Sequence, residues 1–196
     1  MEDAAILKFF DKEGNEVTSL YSQPIPLAHS MLRLRLVNRD ENGVKVSEYD
    51  APTNLATKQF AQFVLNNIFA TAQTITDTSD AGIAETATKA LSSFNIIVGT
   101  GTTAAAVTDY ALQTPTSGSS GTIAATINAY SGSGTSGSFT ITGTITNSSG
   151  STISYTEAGI TASDGTDTFL LTHDVFTAQN VSNSGTLAVT YTLTFS

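Results

Sequence analysis

Period-two alternation near the end of the chain limits the fold more than any other feature. Leu187, Val189, Tyr191, Leu193 and Phe195 alternate with Ala188, Thr190, Thr192 and Thr194. A helix would scatter these residues around its circumference, whereas a strand puts the apolar set on one face and the threonines on the other. Phe139, Ile141, Gly143 and Ile145 repeat the pattern against Thr140, Thr142, Thr144 and Thr146. Turn-forming clusters at 147–150, 164–167 and 180–185 separate short strands. The expected class is mainly β: an antiparallel β-sandwich or jelly-roll-like C-terminal part, with a smaller N-terminal α+β part carrying one helix.

Composition supports two parts. All eight Lys and Arg lie in residues 1–89 with twelve acids, while residues 90–196 hold five acids and no base. In residues 91–196, 41 positions are Ser or Thr, so hydroxyls must solvate that surface. The boundaries read from this shift are 1–90, β-hairpins plus one helix and the expected anchoring part, and 91–196, a Ser/Thr-rich antiparallel β-sandwich. A net charge of −9 without a basic cluster argues against nucleic acid as a partner. Cys is absent, which excludes disulfides, thiolate metal sites and Cys nucleophiles. The opening MEDAAILKFF lacks the basic region of a signal peptide, and no apolar run is long enough to span a membrane. The expectation is a soluble chain made in the cytoplasm, with no membrane partner.

Along the chain, Ala4–Phe10 reads as a first strand, and the two prolines in Gln23–Pro26 keep that segment out of a central strand. Between Ser30 and Asn38, Leu32, Leu34 and Leu36 alternate with Arg33 and Arg35, giving an apolar face and a basic face. A turn at 39–43 predicts a hairpin with Val44–Tyr49. Residues 54–70 form the helix, with Phe60, Phe63, Val64 and Ile68 as its stripe and Asn54 or Thr57 as cap. That stripe packs on the sheet or docks on a neighbouring subunit. Residues 71–90 read as a loop or β-ribbon, Phe94–Val98 as a buried strand, 99–115 as irregular and Thr122–Tyr130 as an alternating strand. Ser131–Gly137 reads as a hairpin tip.

The motifs argue against catalysis. Gly99-Thr100-Gly101-Thr102-Thr103-Ala104 matches a dinucleotide fingerprint, but no βαβ unit can be built around it. His29 and His173 are the only histidines, and no Gly-x-Ser-x-Gly elbow accompanies them. His173 is read as a surface or interface side chain and Glu157 as solvent-facing. Asp164–Asp167 and Asp77–Asp80 each pair two carboxylates. A hairpin turn and a calcium-stabilised loop at Asp164 and Asp167 both fit, and calcium would need further oxygen ligands. No catalytic residue, no cofactor and no other metal site is expected.

Three pieces of the chain carry a family likeness. They are Thr57–Val64; Ile96–Ala104 leading to Thr108–Leu112; and an ordered ending of Tyr155–Ile160, Phe169–Phe176 and Gly185–Phe195. Together, over about residues 55–196, they resemble virion structural proteins of tailed bacteriophages, among head-decoration, head-fibre and tail-accessory components. The resemblance implies a non-enzymatic virion protein that decorates or cements a capsid or forms a head or tail accessory. Its partners would be capsid or tail subunits and further copies of itself as a homo-oligomer. Arg33, Arg35, Phe60 and Phe63 are the expected partner-interface residues. The alternative is a glycan- or host-surface-binding β-sandwich module using an exposed tyrosine such as Tyr130.

Overall fold

The computed structural model describes residues 32–51, 55–69, 72–85, 91–133 and 136–195. The expected strand Ala4–Phe10, Gln23–Pro26, His29, Asn54 and the side chains of Leu65, Ile68 and Phe69 lie outside the described set.

In chain order the first elements are β1 (Leu32–Arg39), β2 (Lys45–Asp50), β3 (Leu55–Ala56), helix α1 (Lys58–Phe69), β4 (Gln73–Thr76) and β5 (Gly82–Glu85). There follow β6 (Ser92–Gly99), β7 (Thr122–Ala124), β8 (Thr126–Ile127), β9 (Ser131–Ser133) and β10 (Ser136–Thr146). The last are β11 (Ile153–Ser163), β12 (Thr168–Val181) and β13 (Thr186–Phe195). One antiparallel sheet runs β2-β1-β13-β10-β8, with β9 also paired to β10. The other runs β3-β12-β11-β6-β7, and β4-β5 form a separate ribbon. The class is mainly β and sandwich-like.

Alternation explains the first sheet. On β1, Leu32, Leu34 and Leu36 are buried while Arg33 and Arg35 are exposed. Across the sheet Leu34 meets Tyr191, which meets Ile141; Leu36 meets Val189, which meets Gly143. These rows form one face of the core. The opposite face carries rows of hydroxyls, Thr140 beside Thr192 and Thr142 beside Thr190. The second sheet supplies Ile96, Val98, Ala158, Ile160 and Phe176 to the same core cluster. Strands from before residue 90 enter both sheets, β1 beside β13 and β3 beside β12. The compositional boundary therefore runs through both sheets.

Several local expectations change. The stretch Thr122–Tyr130 does not form one strand. Its first part pairs with β6, and the Ala125 amide donates to Phe94 at 2.8 Å. Its second part pairs with β10, and the Asn128 amide donates to Thr140 at 2.8 Å. The segment thus crosses from one sheet to the other, as corner segments of sandwiches do. Thr57 does not use its side chain as a cap, because its hydroxyl donates to the Leu170 carbonyl at 2.6 Å and ties the helix to β12. On α1, Phe63 is buried against Phe169 with ring centroids 4.8 Å apart, and Phe60 is half-buried against the core. Gln59 and Asn66 share the buried face, and the Asn66 amide donates to the Glu85 carbonyl. Residues 71–90 contain the ribbon β4-β5. Its tip is held by Asp77, whose carboxylate accepts from the amides of Ser79 and Ala81.

At Gly143 the two sheets approach closely. A Cβ there would lie 2.8 Å from Ile123 Cγ2 and 3.1 Å from Ile96 Cδ1. Gly143→Val should therefore overpack the core and destabilise the fold by about 1–3 kcal/mol. A urea denaturation midpoint unchanged from wild type would show that the sheets are not packed this tightly.

Candidate functional site

A hydrogen-bonded group of largely buried ionisable side chains lies beneath the loop that links β6 to β7. Glu157 is on β11 and is fully buried. Its Oε1 accepts from the amides of Gly101 at 3.0 Å and Thr114 at 2.7 Å. Its Oε2 accepts from the amide of Gln113 at 3.0 Å and lies 3.1 Å from His173 Nε2. The other ring nitrogen, Nδ1, lies 2.6 Å from Asp109 Oδ2, which also accepts from the Ala106 amide at 2.7 Å. His173 is fully buried, and Asp109 is the partly exposed end of the chain of contacts. The sequence reading put Glu157 facing solvent and His173 at a surface or interface, and both are instead fully buried. An irregular loop has amides with no ladder to join, and a carboxylate beneath it satisfies three of them.

Local backbone makes this fit. Gly99 and Gly101 pack directly on Glu157, and a Cβ at Gly101 would fall 2.7 Å from Oε1. Beta-bulges between Tyr155 and Glu157 on β11 re-aim the strand opposite β12. The Thr156 hydroxyl donates to the Gly101 carbonyl at 2.8 Å, and the Gln113 side chain bridges both backbone groups of Thr103. The start of α1 joins as well, with the Lys58 amide donating to the Val107 carbonyl at 2.6 Å.

The electrostatics follow from contact geometry. Burial pushes the Glu157 pKa up, but bonds from His173 and the amides of Thr114, Gln113 and Gly101 outweigh it and hold the carboxyl below its ordinary range. Burial likewise pulls the His173 pKa down, and the bonds to Glu157 and Asp109 outweigh it and leave it raised. Both carboxylate oxygens of Glu157 are occupied by donors, so the arrangement holds a loop and leaves no lone pair facing open space.

A second buried acid lies in the core. Asp174 accepts from the Leu55 amide at 3.2 Å, and its Oδ2 and the Tyr191 hydroxyl make no well-formed hydrogen bond. Burial pushes the Asp174 pKa up to about 7, against smaller opposing effects of Leu55, Tyr191 and His173.

The residues singled out from sequence fall elsewhere. Arg33 forms a two-pronged ion pair with Asp50, and Arg35 pairs with Glu48, which also binds Lys45 at 2.7 Å. The expected basic face is thus a ladder of mixed charge, because β2 brings acids opposite the arginines. Phe63 is 4% exposed and sits in the core, with no surface to offer a neighbouring subunit. Asp164 closes the β11-β12 turn, its Oδ1 accepting from the amides of Thr166 at 2.8 Å and Asp167 at 2.7 Å, with Gly165 at φ +100°. This is the hairpin-turn geometry of the two readings left open. Among the described residues, no group of three or more His, Asp or Glu is placed to hold a metal ion. No helix among them is long and apolar enough to cross a membrane.

Comparison with known proteins gives no match to any family model, curated protein or solved structure.

Two variants test the buried acids. Glu157→Gln keeps the shape but turns an amide group toward loop donors, and should cost about 3–5 kcal/mol in urea unfolding, the range for breaking a buried pair. Asp174 acts in the other direction. Its raised pKa means the folded state keeps a proton that the unfolded chain releases, so the contribution of Asp174 to stability falls as pH rises from about 4 to about 7 and is flat above. Asp174→Asn should abolish that slope and be more stable than wild type at pH 8, by up to roughly 4 kcal/mol. Parallel stability-against-pH curves for the two proteins would refute the assignment.

Proposed function

We propose that this chain is a non-enzymatic structural protein of a tailed-bacteriophage virion. It decorates or cements the capsid, or forms a head or tail accessory, and it assembles with capsid or tail subunits and with further copies of itself. The observation that carries this reading is where the family-like stretches meet. Lys58 comes from the first stretch, Gly101, Val107 and Asp109 lie in or between the parts of the second, and Glu157 and His173 come from the third. All join around one loop: Lys58 through Val107, Gly101 and His173 through Glu157, and Asp109 through His173. Their shared work is to fasten a loop and a helix to a sheet. That supports a likeness of architecture, and it supports a structural role over a chemical one. The outer face of the first sheet, hydroxyl rows on β10 and β13 flanked by paired charges on β1 and β2, suits a surface that stays solvated.

A second reading, a glycan-binding module, draws on one observation. Tyr130 is 63% exposed. The hydroxyl end of its ring lies over the cross-strand pair Gly132 and Gly137. A flat ring braced on glycines can stack against a sugar. Close by lies a shallow depression of about 300 Å³ lined by Ser131, Gly132, Ser133, Gly137, Ser138 and Thr194.

Native mass spectrometry of the purified chain, beside quantitative proteomics of the virion, separates the readings. The virion reading expects a defined oligomer and a fixed copy number per particle. A monomer absent from every particle, with saturable binding to host polysaccharide that Tyr130→Ala abolishes, would replace it with the second reading.

A further inference from the structure

The loop between β6 and β7 is held in an unusual way. Across Thr100–Thr114 only Gly101 and Leu112 are buried. Leu112 supplies the loop's one buried apolar side chain, lying over Gly159. A segment with so little apolar burial draws its local stability from polar contacts, and such segments open without global unfolding. The sheet beneath does not need the loop, because β11 is paired to β6 on one side and β12 on the other.

The polar contacts depend on one proton. Glu157 accepts three amides and faces a ring nitrogen, so it is the ionised acceptor form. Nδ1 of His173 faces Asp109 Oδ2, which is already accepting from the Ala106 amide. Two carboxylates, one at each ring nitrogen, require a hydrogen on both nitrogens, which only the imidazolium supplies. A neutral ring would turn a bare lone pair toward one carboxylate and leave two negative charges beside a buried neutral group.

We propose that Asp109, His173 and Glu157 form a pH-operated latch that holds the Gly99–Pro115 loop against the second sheet and releases it when His173 loses its proton. The groups facing His173 are few. Glu157 faces it from β11 and Asp109 from the loop. Asp174 is its neighbour on β12 and a weaker partner in charge. Leu55, across from it on β3, has no titratable side chain, and β6 carries none. The sign follows from the carboxylate partners. A histidine whose folded pKa is raised contributes fully below its ordinary value of about 6.5 and loses that contribution as pH rises through the raised value. The latch is therefore closed in mild acid and opens toward alkaline pH. Opening uncovers the outer face of the sheet at Glu157, Gly159 and His173. The inference does not depend on the virion reading.

Hydrogen exchange on the full chain tests it, with rates corrected for the intrinsic pH dependence of exchange. From about pH 6 to about pH 9, protection of the Gly101, Gln113 and Thr114 amides should fall roughly tenfold or more, while the paired amides of β11 and β12 keep theirs. His173→Gln cannot titrate and should show low loop protection that is flat with pH. Loop protection unchanged with pH in the wild type, or falling equally in His173→Gln, overturns the proposal. Should that variant fail to fold, NMR titration of the wild-type imidazole, assigned with His29→Gln, decides. Titration above about 6.5 supports the latch, and titration at or below it sinks the idea.

Discussion

Strand β13 is hydrogen-bonded along its length on both sides, to β1 and to β10. The rest of the molecule depends on that double pairing. Tyr191 stands between Leu34 and Ile141, and Leu193 between Leu32 and Phe139, and such rows form the inner face of the first sheet. A register slip of one residue on any of the three strands would turn leucines outward and threonines or arginines inward. The alternation thus specifies both the face and the register. It also joins a strand from the charged part of the chain to strands from the hydroxyl-rich part.

The second sheet solves a different problem. Its outer face has to carry an irregular loop whose amides cannot join a ladder. Burying a carboxylate there is costly, and three backbone donors and a histidine offset the cost. The cluster's partners satisfy one another, where a cluster with a missing partner would be destabilising. Asn147 does related work at one end of the sandwich. It is fully buried, and its side-chain amide donates to the carbonyls of Ser151, Val181 and Ser182, drawing the β10-β11 and β12-β13 turns together. Glu157 and Asn147 are both fasteners for irregular segments.

Much of the fold is legible in the residues alone. Leu32, Leu34 and Leu36, and the inward set of β13, announced their burial by period two. The Asp40–Gly43 turn, where Gly43 has φ +79° and Asp40 Oδ1 accepts two amides, follows from residues that favour such turns. The candidate site was much less legible. Glu157 lies in a segment of polar and apolar residues whose pattern is shifted by bulges, so alternation could not give its facing. His173 and Asp109 are 64 residues apart in the chain. The one local signal was the irregular glycine-containing stretch at Gly99–Gly101, whose amides needed some partner. Arg33 and Arg35 were legible as exposed, but their neutralisation by Asp50 and Glu48 required the β1-β2 register.

The sequence by itself determined which residues face inward on the long regular strands, where the hairpin turns fall, and that an amphipathic helix lies among the strands. Those properties are local, since they arise from side-chain periodicity and from the backbone preferences of a few turn residues. Only the tertiary structure decided that the charged and hydroxyl-rich parts share both sheets, that Thr122–Tyr130 crosses between them, and that two acids and a histidine meet under one loop. Those properties arise from contacts between distant segments, where the free energy belongs to the pair and is invisible in either residue alone.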